Sequence, residues 1–145
     1  VMNSFMEEGL FRGVMLPHFT SLIGPSQANL LQAGLFALWH LVWPVKDMVS
    51  GRADLASAAG QAAMLLAATA IGGYVFGFLY LQTGSLWAPW LAHTIHNSVL
   101  NLFHIRTMAG LDADVLILHV ALVVGLLAIV PLIRALAAWS ALSLR

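Results

Sequence analysis

The sequence predicts an all-α fold, a polytopic transmembrane bundle of about five helices. Of its 145 residues, 61% are hydrophobic and 8% are charged, whereas soluble domains have about 45–50% apolar and about 25% charged residues. The mean hydropathy of +0.90 agrees with this. Strands are not expected, because open sheet edges do not lie in lipid and no ten-residue alternating segments occur.

Turn residues divide the chain into its helices. The first segment ends at Gly24-Pro25-Ser26, since Gly and Pro are strong helix breakers. The second, residues 30–45, is apolar except for Gln32 and His40. The third, residues 55–82, has no charge and is long enough to cross a bilayer with tilt. Its glycines allow neighbouring membrane helices to pack closely.

The two remaining segments follow a tight turn at Thr83-Gly84. Ser85 is the expected N-cap of the fourth helix, which runs to about residue 103. The fifth helix covers residues 115 to about 139. The whole chain, residues 1–145, is predicted to be a single membrane-embedded domain with its chemistry between about 6 and 101. Because it begins at Val1 without a signal peptide, we expect a fragment or a trimmed product.

Charge and cysteine content exclude several classes of function. Six basic and six acidic residues cancel, so there is no basic face for nucleic acid, and no nucleic-acid partner is expected. The absence of Cys excludes a disulfide scaffold, a thiolate metal site and a Cys nucleophile.

Ionisable side chains are costly inside a membrane helix, so each one marks a candidate functional site. At a rise of 1.5 Å per residue, Glu7 and Glu8 lie about 24 Å from the bundle end that holds the turns at Gly24-Pro25 and Thr83-Gly84. On the same scale His40 lies at about 16 Å, His93 at about 12 Å and Asn97 at about 18 Å. Three helices therefore contribute polar groups to one buried layer.

Helical spacing suggests the roles of these groups. Glu8 and Arg12 are i,i+4 neighbours that can form a supporting ion pair. Glu7 is left without an intrahelical cation, and such a carboxylate in an apolar site suits general-base catalysis. His93 and Asn97 are also i,i+4 neighbours. They could supply the oxyanion donors of amide hydrolysis, while Glu7, assisted by His40, takes a proton from water.

Zinc is the alternative to this metal-free chemistry. Glu7, His40 and His93 could be three protein ligands of an open catalytic zinc site, which would supply a metal-bound hydroxide. Against zinc, no HExxH pair occurs and Asn is a poor zinc ligand. The metal-free glutamate mechanism is therefore favoured.

Three motifs resemble those of the CPBP family, the CAAX proteases and bacteriocin-processing intramembrane proteases that include the type II CAAX prenyl endopeptidases. EExxxR stands at residues 7–12, FxxxH at residues 36–40 and HxxxN at residues 93–97. Residues 77–89 are similar to the family's usual approach to the third motif. The resemblance covers about residues 6–101, and each motif lies in its own hydrophobic segment. Family members usually have additional helices before the first motif.

The resemblance implies a glutamate-dependent intramembrane endopeptidase in which Glu7 and His40 activate water and His93 and Asn97 bind the oxyanion. Some members are described as metalloproteases. The implied substrates are peptides or proteins, prenylated in CAAX processing or bacteriocin-like in bacterial members. Membrane lipid is the expected surrounding partner.

Two other functions are compatible with parts of the sequence. One is a non-catalytic scaffold or immunity protein with the same fold, although the intact set of Glu7, His40, His93 and Asn97 argues against it. The other is a membrane haem protein with His40 and either His93 or His96 as axial ligands, for which the neighbouring carboxylates are less natural.

The distribution of basic residues predicts the orientation. Lys46, Arg52 and Arg106 lie at the bundle end opposite the first turn, and the positive-inside rule makes that end cytoplasmic. We therefore expect a multi-pass protein of the bacterial inner membrane with its site open to the cytoplasmic side.

Overall fold

The computed structural model describes residues 2–107, 120–121, 124–125 and 127–135. Within these residues there are helices and turns but no strand, which confirms the all-α prediction. Of the last segment predicted from the sequence, residues 115 to about 139, the structure describes residues 120–121, 124–125 and 127–135, and all of these are helical.

The described helices follow one another with short connections. A continuous N-terminal helix consists of α1 (Met2–Glu8), a π-helical segment (Gly9–Met15) and α2 (Leu16–Ile23). It is followed by α3 (Pro25–Trp39), α4 (Val42–Val49), α5 (Leu55–Thr83) and α6 (Trp87–Thr107).

The predicted turn residues set the ends of these helices. Gly24 has φ 81° between α2 and α3, and Pro25 follows at the first helical position, where its missing N–H costs nothing. Gly84 ends α5 in the left-handed conformation, with its N–H bonded to Tyr80 O. Ser85, the predicted N-cap, lies one residue before the cap position of α6. Its Oγ accepts a hydrogen bond from Trp87 N–H at 3.3 Å, and Leu86 O accepts the first helical hydrogen bond, from Trp90 N–H at 3.1 Å.

The second predicted helix differs most from the prediction. Residues 30–45 were expected to form one helix, but α3 begins earlier, at Pro25, and ends at Trp39, and a turn at His40 and Leu41 separates it from α4. Pro44 explains the break, since it has no N–H to donate to His40 O and its ring disfavours a continuous helix there. The break places His40 at the carboxyl end of α3.

Among the described residues, two stretches are long and apolar enough to cross a membrane, Pro25–Val49 and Leu55–Thr83. About five spans were predicted from the sequence. The N-terminal helix carries Glu7, Glu8 and Arg12, and α6 carries several His and Asn residues. These polar side chains lower the hydropathy of both helices, and the same residues form the site described below.

The central packing contact joins α3 and α5. The N-terminal helix packs on α3, α6 packs on α5, and the N-terminal helix and α6 also contact each other. Small residues allow a close approach, as predicted. A Cβ on Gly73 would lie 3.2 Å from Ala33 Cα. One turn further along, Gly77 faces the buried amides of Asn29 and Gln32, and a Cβ there would overlap both side chains.

We predict that Gly77→Ala lowers the free energy of unfolding by about 1–3 kcal/mol, the usual cost of overpacking a filled interior. Thermal unfolding in detergent, followed by circular dichroism, measures the effect. Gly60→Ala is the matched control in α5, since a Cβ at Gly60 meets no atom within 4 Å. Equal stability of the two variants would contradict the prediction.

Candidate active site

The N-terminal helix presents a buried polar stripe. Ser4, Glu8 and Arg12 follow at intervals of four residues, and all three are buried. Arg12 Nη1 donates to Glu8 Oε1 at 3.0 Å, which confirms the predicted ion pair. Glu7 lies beside this stripe, and 22% of its side chain is exposed. The π-helical segment begins directly after Glu8, and such segments are frequent at functional sites.

Arg12 is held on several sides although it is fully buried. Its Nη2 donates to Gly73 O of α5 at 2.9 Å. Its guanidinium lies 4.5 Å from the ring centre of Phe36 and 5.4 Å from that of Phe76. A carboxylate, a carbonyl and two aromatic faces thus replace water around the charge.

His93 of α6 lies between the two glutamates. Its Nδ1 is 2.7 Å from Glu8 Oε1, and its Nε2 is 3.6 Å from Glu7 Oε2. Because an ionised carboxylate only accepts hydrogen bonds, Nδ1 carries the proton that Glu8 receives. The Phe76 ring stacks on the imidazole at 4.8 Å and 18°, so the plane of the ring is also set.

His40 occupies the end of α3. Its Nδ1 lies 2.8 Å from Phe36 O, and because a carbonyl oxygen only accepts, Nδ1 is the donor. In the neutral ring, Nε2 then holds a lone pair that can accept a proton. The ring packs edge to face on Phe36, with 4.6 Å between ring centres, and Phe36 also contacts His93 in the same manner at 5.8 Å.

Asn97 lies one turn beyond His93, and its Nδ2 donates to Ser4 Oγ at 3.2 Å. This bond uses one of the two amide hydrogens and leaves the second available. Ser4 is not among the site residues predicted from the sequence. The signal that could have found it is its spacing, since it lies four residues before Glu8 on the same face as Arg12.

A cavity of about 130 Å³ lies between α3, α5 and α6 and is large enough for several water molecules. Both His40 and His93 line it, together with Asn97. His96, which our reasoning assigned to neighbour contacts, also lines it and packs edge to face against Phe76 at 6.4 Å. The remaining wall is Phe36, Leu65, Ala68, Thr69, Gly72, Phe76 and Leu100.

The five predicted site residues and the supporting Arg12 thus form two connected groups. Glu8, Arg12 and His93 are in direct contact, with Glu7 beside His93. His40 and Asn97 share the cavity with His93. His93 was expected to face the same point as Asn97. The structure also places His93 against both carboxylates.

The zinc ligand set considered above consists of Glu7, His40 and His93. Among the residues that the structure describes, no three His, Asp or Glu side chains are placed to hold one metal ion, and this includes Glu7, His40 and His93.

Comparison with curated proteins and with solved structures gives no significant match. A family model described as type II CAAX prenyl endopeptidase Rce1-like matches residues 1–99, which include all the site residues above. This confirms the resemblance carried by the three motifs. The chain belongs to the Rce1-like family of type II CAAX prenyl endopeptidases, which are membrane proteases.

Proposed function

We propose that this protein is an intramembrane endopeptidase that hydrolyses peptide bonds near the membrane surface without a metal ion. The observation that carries the proposal is the position of His93. It joins both carboxylates of the first motif to the cavity that His40 and Asn97 also line. A proton acceptor and two oxyanion donors therefore line one cavity that can hold water, and His93 links them to the base Glu7, as amide hydrolysis requires.

Glu7 is the proposed general base. Glu8 already accepts hydrogen bonds from Arg12 and His93, whereas Glu7 forms no ion pair with an Arg or Lys among the described residues. Its partial exposure gives water access to the carboxylate. His40 assists through Nε2, the nitrogen left without a proton by the bond to Phe36 O.

His93 and Asn97 are the proposed oxyanion donors. In the imidazolium form of His93, its charge and that of Arg12 balance Glu7 and Glu8. Nδ1–H is then held by Glu8, and Nε2–H is available to the carbonyl oxygen of a substrate. The 3.6 Å between Nε2 and Glu7 Oε2 is longer than a strong hydrogen bond, so a substrate oxygen can compete for this proton.

The proposed reaction follows from these positions. Glu7 takes a proton from water as its oxygen bonds to the carbonyl carbon, and the carbonyl electrons move onto the oxygen held by His93 and Asn97. The tetrahedral intermediate collapses by breaking the C–N bond. Glu7 returns the proton to the leaving nitrogen, so the base is regenerated.

We propose CAAX-type substrates, peptides with a prenylated carboxyl terminus, because the family match names that class. Bacteriocin-type peptides remain the alternative substrates, and a non-catalytic scaffold is the alternative function. We also propose that the site opens towards the cytoplasmic face of a bacterial inner membrane. Lys46 and Arg52 lie in and just after α4, next to the end of α3 that carries His40.

Glu7→Gln should lower kcat by about 10²- to 10⁴-fold with little change in KM, because the amide cannot accept the proton of water. The measurement is cleavage of farnesylated peptides by purified protein in detergent, detected by mass spectrometry. Asp47→Asn makes the same exchange of carboxylate for amide at a partly exposed ion pair and should leave cleavage unchanged. Full activity of Glu7→Gln would refute the assignment of the base.

Asn97→Ala should lower kcat by about 10²- to 10³-fold, the usual effect of losing one oxyanion donor. Asn101→Ala, one turn further along α6 and exposed, is the matched control and should retain activity. If the two variants behave alike in folded protein, Asn97 has no part in oxyanion binding.

Cleavage should persist after treatment with EDTA or 1,10-phenanthroline, since no triad of ligands is formed by the described residues. The readout is the rate of cleavage before and after chelation, and again after addition of zinc. Loss with the chelator and recovery with zinc would replace the metal-free mechanism by one in which Glu7, His40 and His93 rearrange around the metal.

A further inference from the structure

We propose that Gln32 is a positioning residue of this site, which acts on the Glu8–His93 pair through the Gly73 carbonyl and Arg12. The inference deepens the proposed protease function and rests on it. Gln32 lies outside all three sequence motifs. In the sequence, Gln32 stood out only as a polar residue in an apolar helix.

Gln32 is fully buried in α3, one turn before Phe36. Its Nε2 is surrounded by acceptors. Asn29 Oδ1 lies at 2.7 Å, Gly73 O at 2.9 Å and Asn29 O at 3.2 Å. Since all three neighbours are acceptors, the nitrogen of the amide must face them, which determines the orientation of the side chain.

The Gly73 carbonyl connects Gln32 to the site. It accepts from Gln32 Nε2 and from Arg12 Nη2, each at 2.9 Å. Arg12 Nη1 donates to Glu8 Oε1 at 3.0 Å, and the same oxygen receives His93 Nδ1 at 2.7 Å. An unbroken series of hydrogen bonds therefore runs from α3 through α5 and the N-terminal helix to α6.

Each side chain in this series is buried, so water cannot readily replace a lost bond. Arg12 Nε has no hydrogen-bond partner in the part of the chain that the structure describes. The guanidinium is consequently oriented by two hydrogen-bond acceptors, Glu8 and Gly73 O. A shift of Gly73 O would turn Arg12 and move the carboxylate that holds His93.

A residue that only packs helices together and one that positions the site make different predictions. Loss of packing lowers stability but leaves the turnover of folded protein intact. Loss of positioning lowers kcat in folded protein, because a displacement of about 1 Å at reacting groups can cost about 10²-fold. KM should change little, since Gln32 does not line the cavity that His40, His93 and Asn97 share.

The first test is Gln32→Met, which keeps a side chain of similar length and removes the donor. We expect kcat to fall about tenfold, because loss of the Gln32 donor should displace the reacting groups by only part of the 1 Å considered above. KM should stay within about twofold of its value in the unmodified protein. Gln27→Met is the matched control, because Gln27 is an exposed residue of the same helix. An unchanged kcat for folded Gln32→Met would overturn the proposal.

The second test is a double-mutant cycle with Arg12→Lys. If Gln32 acts through Arg12, the double variant should lose no more activity than Arg12→Lys alone. Losses that multiply would show that Gln32 acts independently of Arg12, and the proposal would be wrong.

Gln32→Glu serves if the methionine variant does not fold. It keeps the shape of the side chain but donates towards Gly73 O only when protonated. Its kcat relative to that of the unmodified protein should rise as the pH falls, whereas Gln27→Glu should show a constant ratio. A constant ratio for Gln32→Glu would contradict the proposal.

One measurement separates failure of this inference from failure of the proposed function. The proton that His93 Nδ1 donates to Glu8 should give a low-field NMR resonance that requires no turnover. We expect Gln32→Met to shift it and Gln27→Met to leave it in place. If the unmodified protein cleaves no peptide but this shift is seen, the protease function fails while the positioning role stands. If no shift is seen, the positioning role fails.

Discussion

The buried charge of Arg12 is the constraint on which the rest of the structure depends. A guanidinium removed from water is tolerated only if its hydrogen bonds and charge are compensated. Glu8 supplies the charge, Gly73 O accepts the second hydrogen bond, and the rings of Phe36 and Phe76 cover the faces. Breaking a buried pair of this kind typically costs about 3–5 kcal/mol. The three helices that supply these groups are therefore held in one arrangement.

Compensation of the Arg12 charge also gives the adjacent carboxylates of Glu7 and Glu8 different environments. Glu8 is committed to Arg12 and His93, whereas Glu7 remains partly exposed and opposite the other nitrogen of His93. Neighbouring residues of identical chemistry thus acquire different environments. This division gives the imidazole a fixed partner in Glu8 and leaves the Glu7 carboxylate partly exposed.

The close contact of α3 with α5 makes this arrangement possible. Gly73 allows the two backbones to approach, so that its carbonyl reaches both Arg12 and Gln32. Gly77 leaves room for the amides of Asn29 and Gln32. Small residues in α5 therefore do more than improve packing, because they admit the buried polar groups that hold the site together.

Local spacing and residue type predicted the turns at Gly24-Pro25 and Thr83-Gly84, the Glu8–Arg12 pair and the family. Which atoms meet between helices depends on the tertiary structure. It joined His93 to Glu8, Asn97 to Ser4 and Gln32 to Gly73 O, and it broke the second helix at His40. Such contacts depend on the rotation and register of packed helices, and an uncertainty of two to four residues at a helix end moves a side chain by roughly 3–6 Å.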